Sequence, residues 1–196
     1  MPYWSILCAL LSLTAWTEQA DSSLQVHKNQ LENLSGTYED PSPYPYGAAF
    51  GKRTFTFESG TWTLDFKLGL DPKLEFPVFR FRTHGRYEVL DPSTTVEGAF
   101  NALFYEDQKF LTLLTDHPEL ITAFGLDQCA LTPHIEQNIS KHDCALWAAV
   151  ESCHEDHDLL MVDEAGLLYF GIRPADNNMC SPDRRPAALT PGVKKL

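Results

Sequence analysis

Between residues 34 and 174 apolar and polar side chains alternate along the chain. Trp62, Leu64, Phe66 and Leu68 fall on one side of an extended backbone, and Thr63, Asp65 and Lys67 on the other. Phe79, Phe81, Tyr87 and Val89 share a face, with Arg80, Arg82, His84 and Arg86 opposite; from Val96 the apolar side continues through Gly98, Phe100, Ala102 and Phe104. A period of two held through three consecutive segments is what pleated strands with one buried face require. The runs are short, rich in Phe, Tyr, Trp, Val and Thr, and punctuated by Gly, Pro, Asp and Ser. That pattern predicts an antiparallel sheet closed into a barrel or folded as a sandwich.

Strands are predicted over Leu34–Glu39, Phe50–Glu58 and Thr61–Gly69, the last two joined by Ser59-Gly60, a two-residue turn with glycine where φ must be positive. Others are expected at His134–Ser140, Cys144–Glu151 and Leu159–Asp163, the last turning through Glu164-Ala165-Gly166 into Leu167–Ile172. One helix is signalled, with Asp116 as N-cap, Pro118 in the first turn, Leu120, Ile121 and Phe124 on one side and Gly125 as its stop. The expected fold is all-β, a lipocalin-like antiparallel β-barrel with one short α-helix.

The ends change the picture. Ile6 to Trp16 is apolar, too short to span a bilayer and placed as the core of a secretory signal peptide over residues 1–20, with cleavage after Ala20. Residues 21–33 read as a polar lead-in, 34–174 as the barrel domain and 175–196 as an irregular, Pro-rich tail. Nothing downstream is apolar for long enough to cross a membrane, so the mature chain is expected to be secreted or periplasmic. About 176 residues then remain, enough for one well-buried domain.

Cys8 leaves with the leader, and Cys129, Cys144, Cys153 and Cys180 form an even set bound for an oxidising compartment. Two disulfides follow, and of the three possible pairings Cys129 with Cys144 and Cys153 with Cys180 closes the shortest loops. No cysteine pair has the close spacing of a tetrahedral zinc site. The formal charge of −12 repels phosphate backbones and anionic headgroups, which argues against nucleic acid as a partner. Asn33-Leu34-Ser35 and Asn138-Ile139-Ser140 match the N-glycosylation acceptor pattern, meaningful in a eukaryotic host.

The Gly-x-aromatic opening Gly36-Thr37-Tyr38 resembles the first strand of many lipocalin-like barrels, where an arginine such as Arg173 covers the barrel end. A closer likeness runs through Phe79-Arg80-Phe81-Arg82-Thr83-His84-Gly85-Arg86-Tyr87, Leu114 to Cys129, Cys144-Ala145-Leu146, Leu168 to Asp176 and Ser181 to Pro186. Together these stretches resemble one domain of the adenomatosis polyposis coli down-regulated one family of secreted or membrane-anchored Wnt inhibitors. The likeness departs from the family in having one domain, no anchor, and Pro41 to Tyr46 and Asp71 to Pro77 where the family carries cysteines. It implies a lipocalin-like barrel that binds an acylated protein, of Wnt type in animals.

A barrel of this size either holds one small ligand or is filled by its own side chains. Small residues beside aromatics on the apolar face leave room for an acyl chain, so Trp62, Phe66, Phe79, Phe81, Gly98, Phe100, Ala102 and Phe104 are candidate ligand-binding residues. Arg80 and Arg82 are candidates for holding its carboxylate or phosphate, Arg offering a bidentate fork. The expected partner is therefore a hydrophobic small molecule or an acylated protein. The competing expectations are a filled barrel that serves as a protein-interaction domain, with those rings as core and the arginines paired with acids such as Asp65, and a metal site at His154 and His157. The His154 cluster reads as a loop entering a strand, where successive side chains diverge, so no metal and no cofactor are expected. No Gly-x-Ser-x-Gly elbow, phosphate loop or His-Glu-x-x-His helix is present, and the chain reads as non-catalytic.

Overall fold

The computed structural model describes residues 23–196; the expected leader and Cys8 lie outside the described residues. Eleven strands form one antiparallel system: β1 (Gly36–Glu39), β2 (Tyr44–Tyr46), β3 (Ala49–Glu58), β4 (Thr61–Gly69), β5 (Pro77–Pro92), β6 (Phe100–Tyr105), β7 (Gln108–Leu113), β8 (Gln137–Asn138), β9 (Glu155–Val162), β10 (Leu168–Phe170) and β11 (Lys194–Lys195). The order β10-β9-β6-β5-β4-β3-β1-β11 is a nearly closed eight-strand barrel, because Val193, just before β11, bridges back to Leu168 on β10. The antiparallel barrel expected from the alternation is present.

The β3–β4 hairpin forms as the sequence predicts. Ser59 and Gly60 both have positive φ, the mirror-image turn whose twist matches the flanking strands, and nine residue pairs then run in register from Glu58↔Thr61 to Phe50↔Gly69. β5 is sixteen residues long, and β6 and β7 share its far edge. β6 pairs with Tyr87–Pro92, β7 with Phe79–His84, and between them Tyr105, Glu106 and Asp107 stand against Gly85 and Arg86. Three residues opposite two is a bulge, which bends the strand and re-aims its side chains. Gly85 permits it, since a Cβ there would overlap the Tyr105 carbonyl oxygen. Beyond the bulge the sheet forks, β6 continuing to β9 and β7 to β8.

Two apolar clusters result. The first fills the closed part of the barrel with Tyr38, Phe55, Phe57, Trp62, Tyr87, Phe100, Phe104, Leu160, Leu168 and Phe170. The second lies on the same face of β4 and β5 farther along, where Phe66, Leu68, Phe79, Phe81, Leu111 and Leu113 are covered by Ile121, Phe124, Leu131 and Trp147. Leu64 touches both. Each fully buried ring or leucine contributes roughly 1.5–3 kcal/mol, so neither cluster is a minor part of the fold.

Several expectations are corrected. Residues 23–32 of the expected lead-in are helical (α1), and Leu31 and Leu34 at its end are buried in the first cluster. The Tyr87 hydroxyl fixes them, accepting from the Leu34 amide at 3.2 Å and lying 2.9 Å from the Leu31 carbonyl. Neither residue breaks the polar composition of the stretch, which is why it read as a lead-in. The second helix, α2 (Pro118–Ala123), is capped at His117 rather than Asp116 and has no side-chain cap bond. Cys144–Glu151 is no strand: Cys144 and Trp147 bond each other across a tight turn, and Cys144 is held by its disulfide. The strand expected at Leu159 begins at Glu155, and the tail expected as irregular contributes β11. The disulfides are Cys129–Cys144 and Cys153–Cys180.

Candidate functional site

Inside the barrel aromatic rings meet one another, the candidate ligand residues Trp62 and Phe104 among them. Phe55 stacks on Phe170 with centroids 3.9 Å apart, Trp62 stands edge-on to Phe104 at 4.8 Å, Phe57 to Tyr87 at 5.1 Å, and Phe104 tilts against Phe170 at 5.7 Å. The Trp62 indole N–H is satisfied inside the wall, donating to the Tyr105 carbonyl at 2.9 Å. The candidate ligand residues are divided between the clusters, with Trp62, Phe100, Ala102 and Phe104 in the first and Phe66, Phe79 and Phe81 in the second. Gly98 joins neither, because it sits exposed in the turn before β6 at φ 77°. The alternation from Val96 placed it inward, but the strand starts two residues later.

Arg80 and Arg82 point outward and are already paired. Arg80 grips Asp65 on the neighbouring strand, its Nε 2.8 Å from Oδ1, and Arg82 forks onto Glu136 with Nε 2.7 Å from Oε2. Arg86 bonds Glu88 and lies over the Tyr105 ring. The three arginines of the basic stripe are thus each paired with an acid, Arg80 diagonally across the β4–β5 ladder, Arg82 with a residue just before β8, and Arg86 along its own strand.

Between the two apolar clusters the interior is charged. The inward register positions there are Arg53 on β3, Thr83 on β5 and Asp156 and Asp158 on β9, all buried; the two aspartates face Phe104 and Ala102 across the ladder. The bulge adds Glu106 and its turn-mate Lys109, 2.7 Å apart and both almost inaccessible. Lys109 Nζ also donates to the carbonyls of Ala148 at 2.9 Å and Cys153 at 3.2 Å. Arg173, which the lipocalin likeness would place over the barrel end, instead reaches into this layer and donates to Asp156 at 2.6 Å, braced by Asn177. Arg53 forks onto Asp40 with bonds of 3.1 and 2.7 Å, lies under the Tyr44 ring at 4.7 Å, and also donates to Thr190 Oγ1 and the Pro191 carbonyl. The Thr83 hydroxyl, on the same face of β5, has no hydrogen-bond partner among the described residues.

Burial sets the ionisation of this layer. Glu106 is pushed up to about 7 by desolvation and by the charge of Asp156, with Lys109 and Arg173 pulling the other way. Asp158 is pushed up to about 6 by desolvation, although its Oδ1 accepts from the amides of Leu159 at 2.7 Å and Gly171 at 2.9 Å. For Arg173 burial favours the neutral form, but Asp156, Glu106 and Asp158 outweigh it and hold the guanidinium charged. Desolvation, the largest influence on Tyr44, lifts its hydroxyl to about 12 against the pull of Arg53.

The cluster Glu155 to Asp158, expected as solvated loop, is therefore mostly interior. His157 is spoken for on both nitrogens. An Arg185 nitrogen lies 3.3 Å from Nδ1 and can only donate, so the proton sits on Nε2, which faces Glu155 at 3.3 Å. Burial and the Arg185 charge hold its pKa below the usual histidine value. With neither lone pair free, His157 does not present a metal-binding nitrogen, and among the described residues no three His, Cys, Asp or Glu side chains are grouped to hold a metal. Sequence reasoning missed this layer because its members come from six separate stretches; the one readable sign was two acids, Asp156 and Asp158, on one face of a strand that continues into Leu160.

Two openings lie at the surface. One of about 270 Å³ is bordered by Glu32, Tyr87, Glu88, Val89 and Leu90, and a smaller one of about 110 Å³ by Glu39, Lys52, Thr54, Asp65 and Lys67. No protein-family model matches this chain, and no curated protein matches it either.

Proposed function

We propose that this is an exported binding protein whose barrel is a filled scaffold and whose partner, a protein, is engaged at the outer surface. The observation that carries the reading is the charged layer. An acyl chain running along the barrel axis would displace stacked rings and then lie against Glu106, Asp156, Asp158 and Arg173, where each ion would lose partners without gaining water. Leaving one buried charge unpaired costs about 3–5 kcal/mol, more than a few methylene contacts at about 0.8 kcal/mol each return. The two disulfides fit a compartment outside the reducing cytosol.

One end of the sheet carries apolar side chains suited to a protein contact. The turns β2–β3, β4–β5 and the approach to β8 lie at the same end by register, and they expose Tyr46, Leu70, Phe76 and Ile135, with Phe76 at 66 %. The Leu70–Phe76 loop is held in shape by Asp71, whose carboxylate accepts from the amides of Lys73 and Phe76, both at 2.8 Å. A preformed loop loses little freedom on binding. The resemblance to the adenomatosis polyposis coli down-regulated one family supports a partner that is itself secreted, an acylated signalling protein where the source makes one.

Titration with a fluorescent fatty acid separates this reading from that of a carrier. A filled barrel gives no saturable signal, whereas stoichiometric saturation, lost in Ala102→Phe, would establish an interior ligand site and overturn the proposal. Native mass spectrometry of protein isolated from its own source reads the same difference as bound lipid mass.

A further inference from the structure

We infer that Asn138 carries an N-linked glycan, attached before the chain folds, and that in the folded protein the first sugar lies over the Phe110 ring. Both acceptor triplets, Asn33-Leu34-Ser35 and Asn138-Ile139-Ser140, put the asparagine at the surface. Their side chains differ in what they already do. The Asn33 side-chain nitrogen donates to the Asn29 carbonyl at 2.8 Å and closes the end of α1. Asn138, among the described residues, is engaged through its oxygen alone, Oδ1 accepting the Ser140 amide at 2.9 Å, so a sugar on Nδ2 breaks no bond of the fold. On the neighbouring strand Phe110 is its ladder partner, which sets the two Cβ atoms about 5 Å apart. Phe110 is half-buried on the outer face, with the Arg82 guanidinium 5.5 Å from its centroid and the His84 ring nearly parallel to it at 6.2 Å. The C–H face of a pyranose suits the negative face of such a ring.

Folding closes the acceptor. Transfer joins Nδ2 to the anomeric carbon of a sugar carried on a lipid pyrophosphate; the carbon–oxygen bond to the pyrophosphate breaks, the carrier leaves with the electron pair, and the Nδ2 proton passes to a base of the transferase. The transferase also reads the hydroxyl two residues on. In the folded chain that hydroxyl is taken, Ser140 Oγ accepting the Lys109 amide at 2.8 Å and donating to the Lys109 carbonyl at 3.4 Å. Ile139, between the two, is buried in the second cluster and bonds the same carbonyl through its amide. The triplet also lies inside the loop that Cys129 and Cys144, 15 residues apart, close by their disulfide. The glycosylated side chain keeps Oδ1 and one N–H, so the Ser140 turn and the β7–β8 pairing form around it afterwards. The inference rests on the reading of this chain as exported, since carrier and transferase belong to the secretory route.

The test expresses the full chain in cultured insect cells and collects it from the medium, where enzymatic glycan release in heavy-oxygen water marks each occupied asparagine by mass. Asn138 is expected to be occupied. Secreted chain with Asn138 bare overturns the inference and leaves export standing, whereas chain retained in the cytosol overturns both. For the order of events, the same sequence made without glycan in the bacterial periplasm is offered, with lipid-linked oligosaccharide, to a solubilised transferase. The reduced, unfolded chain is expected to be modified at Asn138 and the folded chain not; equal modification of the two refutes attachment before folding, and modification of neither refutes the site. For the ring, urea midpoints of the glycosylated and unglycosylated forms are compared in the parent and in Phe110→Ser. The glycan is expected to raise the midpoint in the parent alone, and an equal shift in both, or none in either, would remove Phe110 as its platform.

Discussion

Replacing Asp158 by asparagine isolates the cost of one interior charge. The amide side chain keeps an oxygen where Oδ1 accepts the Leu159 and Gly171 amides, and places an NH2 where the protonated acid would carry its hydrogen, so it imitates the neutral form at every pH. In the folded protein the carboxyl titrates near 6, above its ordinary 3.8. The folded state therefore holds this proton more tightly than the unfolded chain, and stability falls as pH rises from about 4 through 6, then levels off. A displacement of about 2 pH units corresponds to about 3 kcal/mol. Glu106 acts in the same direction up to about 7, while His157, depressed below 6.5, acts against both by losing stability as pH falls. Comparing D158N with the parent removes those shared contributions. In urea unfolding at a series of pH values with disulfides intact, the variant is expected to gain about 2.5 kcal/mol on the parent between pH 4 and pH 8, most of it between 4 and 6. Parallel curves would refute the placement of a desolvated carboxylate in the barrel.

Three other outcomes follow from the geometry. Gly85→Ala forces the Tyr105 backbone away from β5 and should cost more than about 3 kcal/mol, while Gly98→Ala in its exposed turn should cost about 1 kcal/mol, a contrast readable in thermal melts. Arg53→Met leaves Asp40 buried without its cation and should lose about 3–5 kcal/mol, whereas the double variant Arg53→Met with Asp40→Leu should recover part of it. Arg80→Gln and Arg82→Gln, each removing a half-exposed pair, should each change stability by no more than about 1 kcal/mol in chemical denaturation.

The alternation of Trp62 to Leu68 and Phe79 to Val89 was enough to read the strands and their buried face, since each such contact repeats every second residue. It did not reveal that this one face serves two separate clusters, because the division depends on where β6 ends and β7 begins. Nothing local marks Tyr105-Glu106-Asp107 as a bulge; the reason lies across the ladder at Gly85. The cysteine pairing was legible from spacing, and so was Asp65 as a partner for the arginine stripe, though it takes Arg80 diagonally and not Arg82, which stands opposite it in register. The burial of Asp156, His157 and Asp158 was not, since a run of charges reads as solvated until Arg173 and Arg185 arrive from distant sequence to neutralise it. α1 was missed for the converse reason, its anchorage resting on Leu31 and Leu34 within an otherwise polar stretch.

The strands β4 and β5 pass without interruption beneath both apolar clusters, with Leu64 in contact with each. No single cut in the chain separates the two, because each cluster needs residues from both β4 and β5 and at most one fragment can keep that hairpin whole. Recombination between genes could graft this unit onto other proteins only in one piece, and truncation midway would yield no smaller version of it.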